Sequence, residues 1–281
     1  MRISCPATLE EALAELHEFP DTVPLAGGTD LLVAINFGRE RPERVMSLRR
    51  LEELSEISED RLVRCGAMTT YTRMLAGLSD VVMRQACRTV GSPQIRNAGT
   101  LGGNLGTCSP AGDTLPALAA LDAVTVLRSL DEERRVPLAE FMRGPKQPGL
   151  RPGELVVAAE WQLAGKAQAF LKGGTRNAMV IAVANCAVVV DPDRRRVGVG
   201  LGSVGPVVLP APEAEAFASG LLEELGWSLP VHLPQAARTE FGRLAAGAAR
   251  PIDDVRGTAA YRRHVVAVMA ARGLERACAS A

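Results

Sequence analysis

Residues 91–112, GSPQIRNAGTLGGNLGTCSPAG, carry six glycines and two prolines in 22 positions. A flexible linker of that glycine content would be polar throughout, yet Ile95, Leu101 and Leu105 are interleaved with the glycines. Asn97, Thr100, Asn104, Thr107, Ser109 and Asp113 add short polar groups. The pattern predicts an ordered glycine-rich loop. Asp113 or Thr114 then caps a helix with Pro116 in its first turn and Leu115, Leu118 and Leu121 as its apolar contacts. A loop feeding a helix in this way is a place where backbone N–H groups face an anion.

A second stretch shares the pattern. Ala26-Gly27-Gly28-Thr29-Asp30 and Thr100-Leu101-Gly102-Gly103-Asn104 each set two adjacent glycines after an apolar residue, with hydroxyl and amide or carboxyl groups just beyond. Glycine permits φ > 0 and a close approach of backbone to ligand. From spacing alone the two are either tight turns needed for folding or N–H donors on both sides of a diphosphate. In the second case Asp113 reaches a ribose hydroxyl or orients a loop.

Around these motifs the chain alternates element types. Thr8 with Glu11 makes a capping box ahead of Leu9, Leu13 and Leu16. A short buried strand is expected over 23–26, and the apolar run 31–35 opens a helix. Strands are expected near 61–66, 123–127 and 154–162, with helix over most of 69–90, where Met74, Leu78, Val81 and Val82 are core positions. Residues 137–153 are rich in Pro and Gly. After a strand near 169–172, residues 182–191 and 196–201 read as a hairpin turning at Asp191-Pro192-Asp193. The pattern is helical over 213–225, 235–246 and 258–277. There is no internal repeat, and the two unlike halves predict an α+β protein dividing near 165–172.

Gly200-Leu201-Gly202-Ser203-Val204-Gly205 matches G-x-G-x-x-G. That fingerprint works only where the third glycine opens a helix that meets the pyrophosphate. Pro206, Pro210 and Pro212 follow instead, so the segment is extended and its glycines are structural.

Composition narrows the function classes. The 281 residues are 47% hydrophobic and 23% charged, which excludes a disordered or fibrous chain. Lys+Arg and Asp+Glu number 32 each, so the basic excess of a nucleic-acid binder is missing and association with other proteins is favoured. No run approaches the roughly 18 apolar residues of a membrane span. No signal peptide is visible, which predicts a cytoplasmic protein. Cys5, Cys65, Cys87, Cys108, Cys186 and Cys278 are scattered, which predicts buried thiols rather than an iron–sulfur or zinc cluster. His17, His232 and His264 share no spacing that would make a metal triad or a catalytic triad. The chemistry is therefore expected to use a borrowed cofactor.

The two glycine motifs, taken with Ser109-Pro110-Ala111-Gly112-Asp113, resemble the FAD-binding medium subunit of the molybdenum hydroxylases, the xanthine dehydrogenase and carbon monoxide dehydrogenase relatives. The likeness continues through Gly153-Glu154-Leu155, the Lys172-x-x-x-Arg176-x-Ala178 pattern and the closing run from Arg250-Pro251-Ile252-Asp253-Asp254 to Tyr261-Arg262, and so covers nearly the whole chain. It implies a PCMH-type FAD-binding domain over 1–168, in lobes of about 1–55 and 56–168. A smaller C-terminal α/β domain of CO dehydrogenase flavoprotein type would follow over 169–281.

The resemblance implies that Val23, Pro24, Leu25, Ala26, Gly27, Gly28, Thr29 and Asp30, with Thr100, Leu101, Gly102, Gly103 and Asn104, hold the FAD diphosphate mainly through backbone donors. Further family contacts fall on Val90, Asp113, Val156 and Lys172, the last a cation that would stabilise negative charge on the reduced flavin. FAD would be non-covalent, since no histidine lies in either loop. Molybdopterin and [2Fe-2S] clusters would sit on partners, a molybdopterin large subunit and an iron–sulfur small subunit, with NAD⁺, oxygen or another carrier accepting electrons. No residue of this chain is expected to act as acid, base or nucleophile.

One departure is clear. Val180-Ile181-Ala182 stands where the family often has Asp-Ile-Ala, so a carboxylate near the flavin is absent. The alternatives are a self-contained flavin oxidoreductase on the same fold, or a non-redox scaffold that kept it.

Overall fold

The computed structural model of the protein describes residues 1–279. The first lobe comprises β1 (Arg2–Ser4), α1 (Leu9–Glu18), β2 (Val23–Leu25), α2 (Leu31–Asn36) and β3 (Arg44–Ser47). The strands form a parallel sheet in the order β1-β3-β2. Thr8 caps α1 by accepting the Glu11 N–H at 3.2 Å, and the Glu11 carboxylate accepts from Ala7 N–H at 2.7 Å. Leu9, Ala12, Leu13 and Leu16 are buried against Met46, Leu48 and Leu54. β2 is half-buried with Pro24 exposed, not the buried strand its apolar residues suggest. It is an edge strand, where a proline without an N–H is tolerated. α2 buries none of its side chains: Leu32 and Val33 are exposed, as is Phe37 just beyond.

The second lobe begins with β4 (Ile57–Glu59), β5 (Leu62–Gly66), α3 (Tyr71–Gly77) and α4 (Val81–Thr89). It continues through α5 (Pro93–Ala98), α6 (Leu101–Thr107), α7 (Thr114–Ala120), β6 (Val124–Arg128), β7 (Glu133–Pro137) and α8 (Leu138–Phe141). It closes with the small hairpin β8 (Met142–Gly144) and β9 (Gln147–Pro148), then β10 (Leu155–Gln162). The main sheet is antiparallel in the order β4-β5-β10-β6-β7.

Two expectations change here. The helix expected over 69–90 is broken at 78–80. Asp80 is buried at the break, and its carboxylate accepts from Trp161 Nε1 at 2.7 Å and Gln168 Nε2 at 3.1 Å. The expected loop over 91–112 is largely two short helices, because Ser92 and Thr100 each cap one and Leu101 and Leu105 are fully buried.

Glu160 on β10 is nearly buried between Arg64 and Arg135, with Arg135 Nε at 2.9 Å. Burial opposes its ionisation, but the two guanidinium groups outweigh it and hold the carboxyl below its ordinary 4.5. A depressed folded pKa contributes stability above the unfolded value that is lost as pH falls through the folded one. Glu160→Gln should therefore cost stability at pH 7 and flatten the acid limb of a denaturation curve below about pH 4.5. An unchanged acid limb would contradict this.

The C-terminal part is the antiparallel sheet of β11 (Gln168–Gly173), β12 (Ala184–Asp191) and β13 (Arg196–Gly202), packed with α9 (Pro212–Glu224), α10 (Gln235–Ala248) and α11 (Ala259–Ala279). The architecture is α+β. Gly198, Gly200 and Gly202 alternate along β13 and so share one face. A Cβ at Gly198 would lie 2.0 Å from the Ala120 carbonyl oxygen, and one at Gly200 would lie 2.0 Å from that of Pro116. The glycine run thus lets α7 press against the strand, backbone on backbone, and it opens no nucleotide-binding helix.

Gly220 has the opposite setting: it is exposed inside α9, and a Cβ there meets nothing within 4 Å. Gly220→Ala should stabilise the protein by roughly 0.5–1 kcal/mol through helix propensity. A melting temperature that fails to rise would contradict this.

Candidate functional site

The first glycine loop leaves β2 and enters α2. Its turn needs a left-handed residue, supplied by Gly28 at φ 72°. Among the described residues, no protein acceptor takes the amide N–H of Ala26, Gly27, Gly28, Thr29 or Asp30. Ala26 to Thr29 are half-buried and Asp30 is exposed. Five consecutive N–H groups without a protein acceptor thus lie on an accessible, tightly turned backbone, where they are free to donate to a ligand.

The second glycine pair serves differently from expectation. Gly102 and Gly103 lie in the first turn of α6, and the amides from Leu101 to Asn104 are engaged within the chain. Leu101 and Gly102 donate to the Thr69 and Ala67 carbonyls at 3.0 and 2.7 Å, Gly103 to Thr100 Oγ1 at 3.0 Å and Asn104 to the Thr100 carbonyl at 3.1 Å. Gly102 and Gly103 shape a wall by lacking side chains, while the first loop supplies the free donors. The two motifs meet directly. A Cβ on Gly27 would lie 1.8 Å from the Ala98 carbonyl oxygen, and one on Gly103 would lie 3.7 Å from Ala26 Cβ.

The remaining positions converge on the same region. Asn104 Nδ2 donates to Thr114 Oγ1 at 3.0 Å, tying α6 to the start of α7. Asp113 precedes α7 but makes no capping bond with its side chain. Its Oδ2 pairs with Lys172 Nζ at 2.5 Å and its Oδ1 accepts from Asn185 Nδ2 at 3.0 Å. Lys172 also donates to the Thr89 carbonyl at 3.1 Å, next to Val90, which ends α4. Lys172 is therefore a neutralised partner in a buried pair rather than a free cation. Burial pushes the Asp113 carboxyl up, and Lys172 and Asn185 pull it back only in part. Val156 is buried in the core on β10, beside an irregularity of register between Val156 and Ala158. There the Val157 carbonyl accepts from Ala67, whose own carbonyl holds Gly102.

Comparison with known proteins identifies the family. Residues 1–160 match the family model described as FAD binding domain in molybdopterin dehydrogenase, and residues 168–277 match the CO dehydrogenase flavoprotein C-terminal domain. The chain belongs to the FAD-binding family of the molybdopterin dehydrogenases. It is 37% identical over 200 residues to the nicotinate dehydrogenase FAD-subunit of Eubacterium barkeri, a match covering 67% of this chain and 68% of the relative. It is 29% identical to the carbon monoxide dehydrogenase medium chain of Afipia carboxidovorans, across 98% of this chain and 96% of that one. Among solved structures, reconstituted CO dehydrogenase from Oligotropha carboxidovorans superimposes with a TM-score of 0.90 at 28% identity, covering 100% of this chain and 98% of that one.

The residues present fit FAD. The accessible run of free amides suits a diphosphate, and glycines 27, 102 and 103 leave no side chain between the two walls. Val180 lies in the exposed stretch between β11 and β12, where Met179 and Ile181 are exposed. Five of the six cysteines in this FAD-binding chain are buried, and burial pushes the thiols of Cys65 and Cys186 up to about 12, which leaves them unreactive.

Three contributors escaped the sequence reading. Ala67 backs Gly102, and Arg96 Nη1 clamps the Val90 and Gly91 carbonyls at 3.0 and 3.1 Å. Asn185 is the third. β12 is a near-continuous apolar run buried along its whole length, so only the polar identity of Asn185 inside that run signals it.

Proposed function

We propose that the protein is the electron-transfer subunit of a multi-subunit molybdopterin-dependent hydroxylase or dehydrogenase. When bound, FAD supplies the redox chemistry that links partner [2Fe-2S] clusters to NAD⁺, oxygen or another acceptor. The run of unpartnered amides from Ala26 to Asp30 carries this reading. Val23 to Asp30 would hold the diphosphate without a covalent bond. Thr100 to Asn104 would form the opposite wall, and Val90, Asp113, Val156 and Lys172 would line the remainder. The chain's own residues bind, orient and tune; none moves a proton.

The partners we propose are an iron–sulfur small subunit and a molybdopterin large subunit. Relatives described as FAD-subunit and medium chain support this, as do Leu32, Val33 and Phe37, exposed just after the first loop. The proposed domains are 1–168 and 169–281. A cytoplasmic location agrees with five buried free thiols; among the described residues no helix is long and apolar enough to cross a membrane.

Affinity purification of the tagged chain from its native host tests the proposal. It should bring down an iron–sulfur chain and a molybdopterin chain, and only that complex should bleach its flavin with substrate. A lone chain whose flavin is reduced directly by substrate would instead establish a self-contained flavin oxidoreductase.

A further inference from the structure

Lys172 and Asp113 stand 59 residues apart and meet across the seam between the FAD-binding part and the C-terminal sheet. On the sheet side, Lys172 of β11 is in register with Asn185 of β12, and Asn185 is in register with Gly202 of β13. Directly paired residues in neighbouring strands project from the same face. The row therefore reads cation, amide, no side chain. The start of α7 descends onto it: Asp113 meets the first two members, and a Cβ on Gly202 would lie 2.7 Å from Pro116 Cγ and 2.0 Å from Asn185 Oδ1. Gly202 makes room for both the amide and the helix.

Asn185 is fully buried, and its Oδ1 has no hydrogen-bond partner among the described residues. An orphaned buried acceptor is costly, so packing alone does not account for an amide here. The amide's one bond goes to Asp113. It occupies Oδ1 and thereby leaves Oδ2 to Lys172. Without it, only Lys172 and the Thr89 side chain would hold the Asp113 carboxylate, which could then turn and carry the ammonium with it.

We propose that Asn185 is a positioning residue of the FAD site, fixing the Asp113 carboxylate so that the Lys172 ammonium stands at one place relative to the bound cofactor. The inference rests on the assignment of Lys172 to FAD made above.

The test is a double-mutant cycle in the full-length chain with Asn185→Ala, Lys172→Met and the pair. The readouts are the FAD dissociation constant, from titration of the apo-chain, and the midpoint potential of the bound flavin. Lys172→Met should weaken FAD by about tenfold or more and lower the potential, since the positive member of the pair is lost and the Asp113 carboxylate is left uncompensated. Asn185→Ala should weaken FAD by roughly three- to tenfold and move the potential, yet add nothing on the Lys172→Met background. Additive effects would overturn the proposal, because a merely structural residue acts independently of Lys172. So would an Asn185→Ala chain with unchanged affinity and potential beside a Lys172→Met chain with both altered. If Lys172→Met changes neither quantity, the assignment of Lys172 to FAD falls and this inference falls with it. A parent chain that binds no FAD contradicts the functional reading itself. Should Asn185→Ala not fold, Asn185→Ser, which keeps a shorter donor, is read in the same cycle.

Discussion

Gly27→Ala should release FAD. The added methyl carbon would lie 1.8 Å from the Ala98 carbonyl oxygen, 2.6 Å from its carbon and 3.0 Å from Gly99 Cα. All three are backbone atoms in or next to the short helix α5, so no side chain can swing away to make room. The first loop must therefore separate from the second motif, and the five free amides move with it. A loss of at least about 100-fold in FAD affinity, near 2.7 kcal/mol, is expected. The collisions rank the other glycines. Gly102→Ala meets Ala67 Cβ at 2.6 Å and the Ala67 oxygen at 2.8 Å, whereas Gly103→Ala meets only Thr100 Oγ1 at 3.0 Å and Ala26 Cβ at 3.7 Å. Flavin retained after purification should fall most for Gly27, less for Gly102 and least for Gly103. Full flavin content in Gly27→Ala would remove the two-walled cradle as an explanation.

Lys172→Met should destabilise the protein by about 3–5 kcal/mol at neutral pH, and adding Asp113→Asn should recover most of that loss. Both side chains are over nine-tenths buried, 8% and 6% exposed, so solvent screens the pair little. Removing the ammonium leaves a buried carboxylate with only the neutral Asn185 amide and Thr89 hydroxyl beside it. Burial already pushes this carboxyl up with Lys172 in place, and without Lys172 it rises further. A raised folded pKa gives stability that is complete below the unfolded value and lost as pH rises through the folded one. The deficit of Lys172→Met should therefore be larger at about pH 7.5 than at about pH 5, whereas the double variant should show little difference. Denaturant titrations at the two pH values measure this. A double variant no more stable than Lys172→Met alone would mean that the buried charge is not the cause.

The sequence disclosed the fold class and the family more readily than the individual elements. Glycine pairs after apolar residues are local signals, and the reading of the 200–205 glycines as structural needed only the prolines that follow. The reason for those glycines was not local: Gly198 and Gly200 answer to α7, some 80 residues earlier in the chain. β1, β3, β4 and β7 escaped because short or edge strands carry too few residues to show alternation. The break between α3 and α4 depends on Trp161 and Gln168 reaching Asp80, a contact no helical pattern encodes. Likewise, Asp113 looked like a helix cap, and only the descent of α7 onto the C-terminal sheet turns its carboxylate to Lys172 and Asn185 instead.

The most direct measurement is the absorption spectrum of the purified chain, followed by that of the supernatant after acid precipitation. Flavin bands that pass into the supernatant, with FAD recovered at one equivalent per chain, are the predicted result. A folded chain that is colourless and takes up no added FAD would contradict the account.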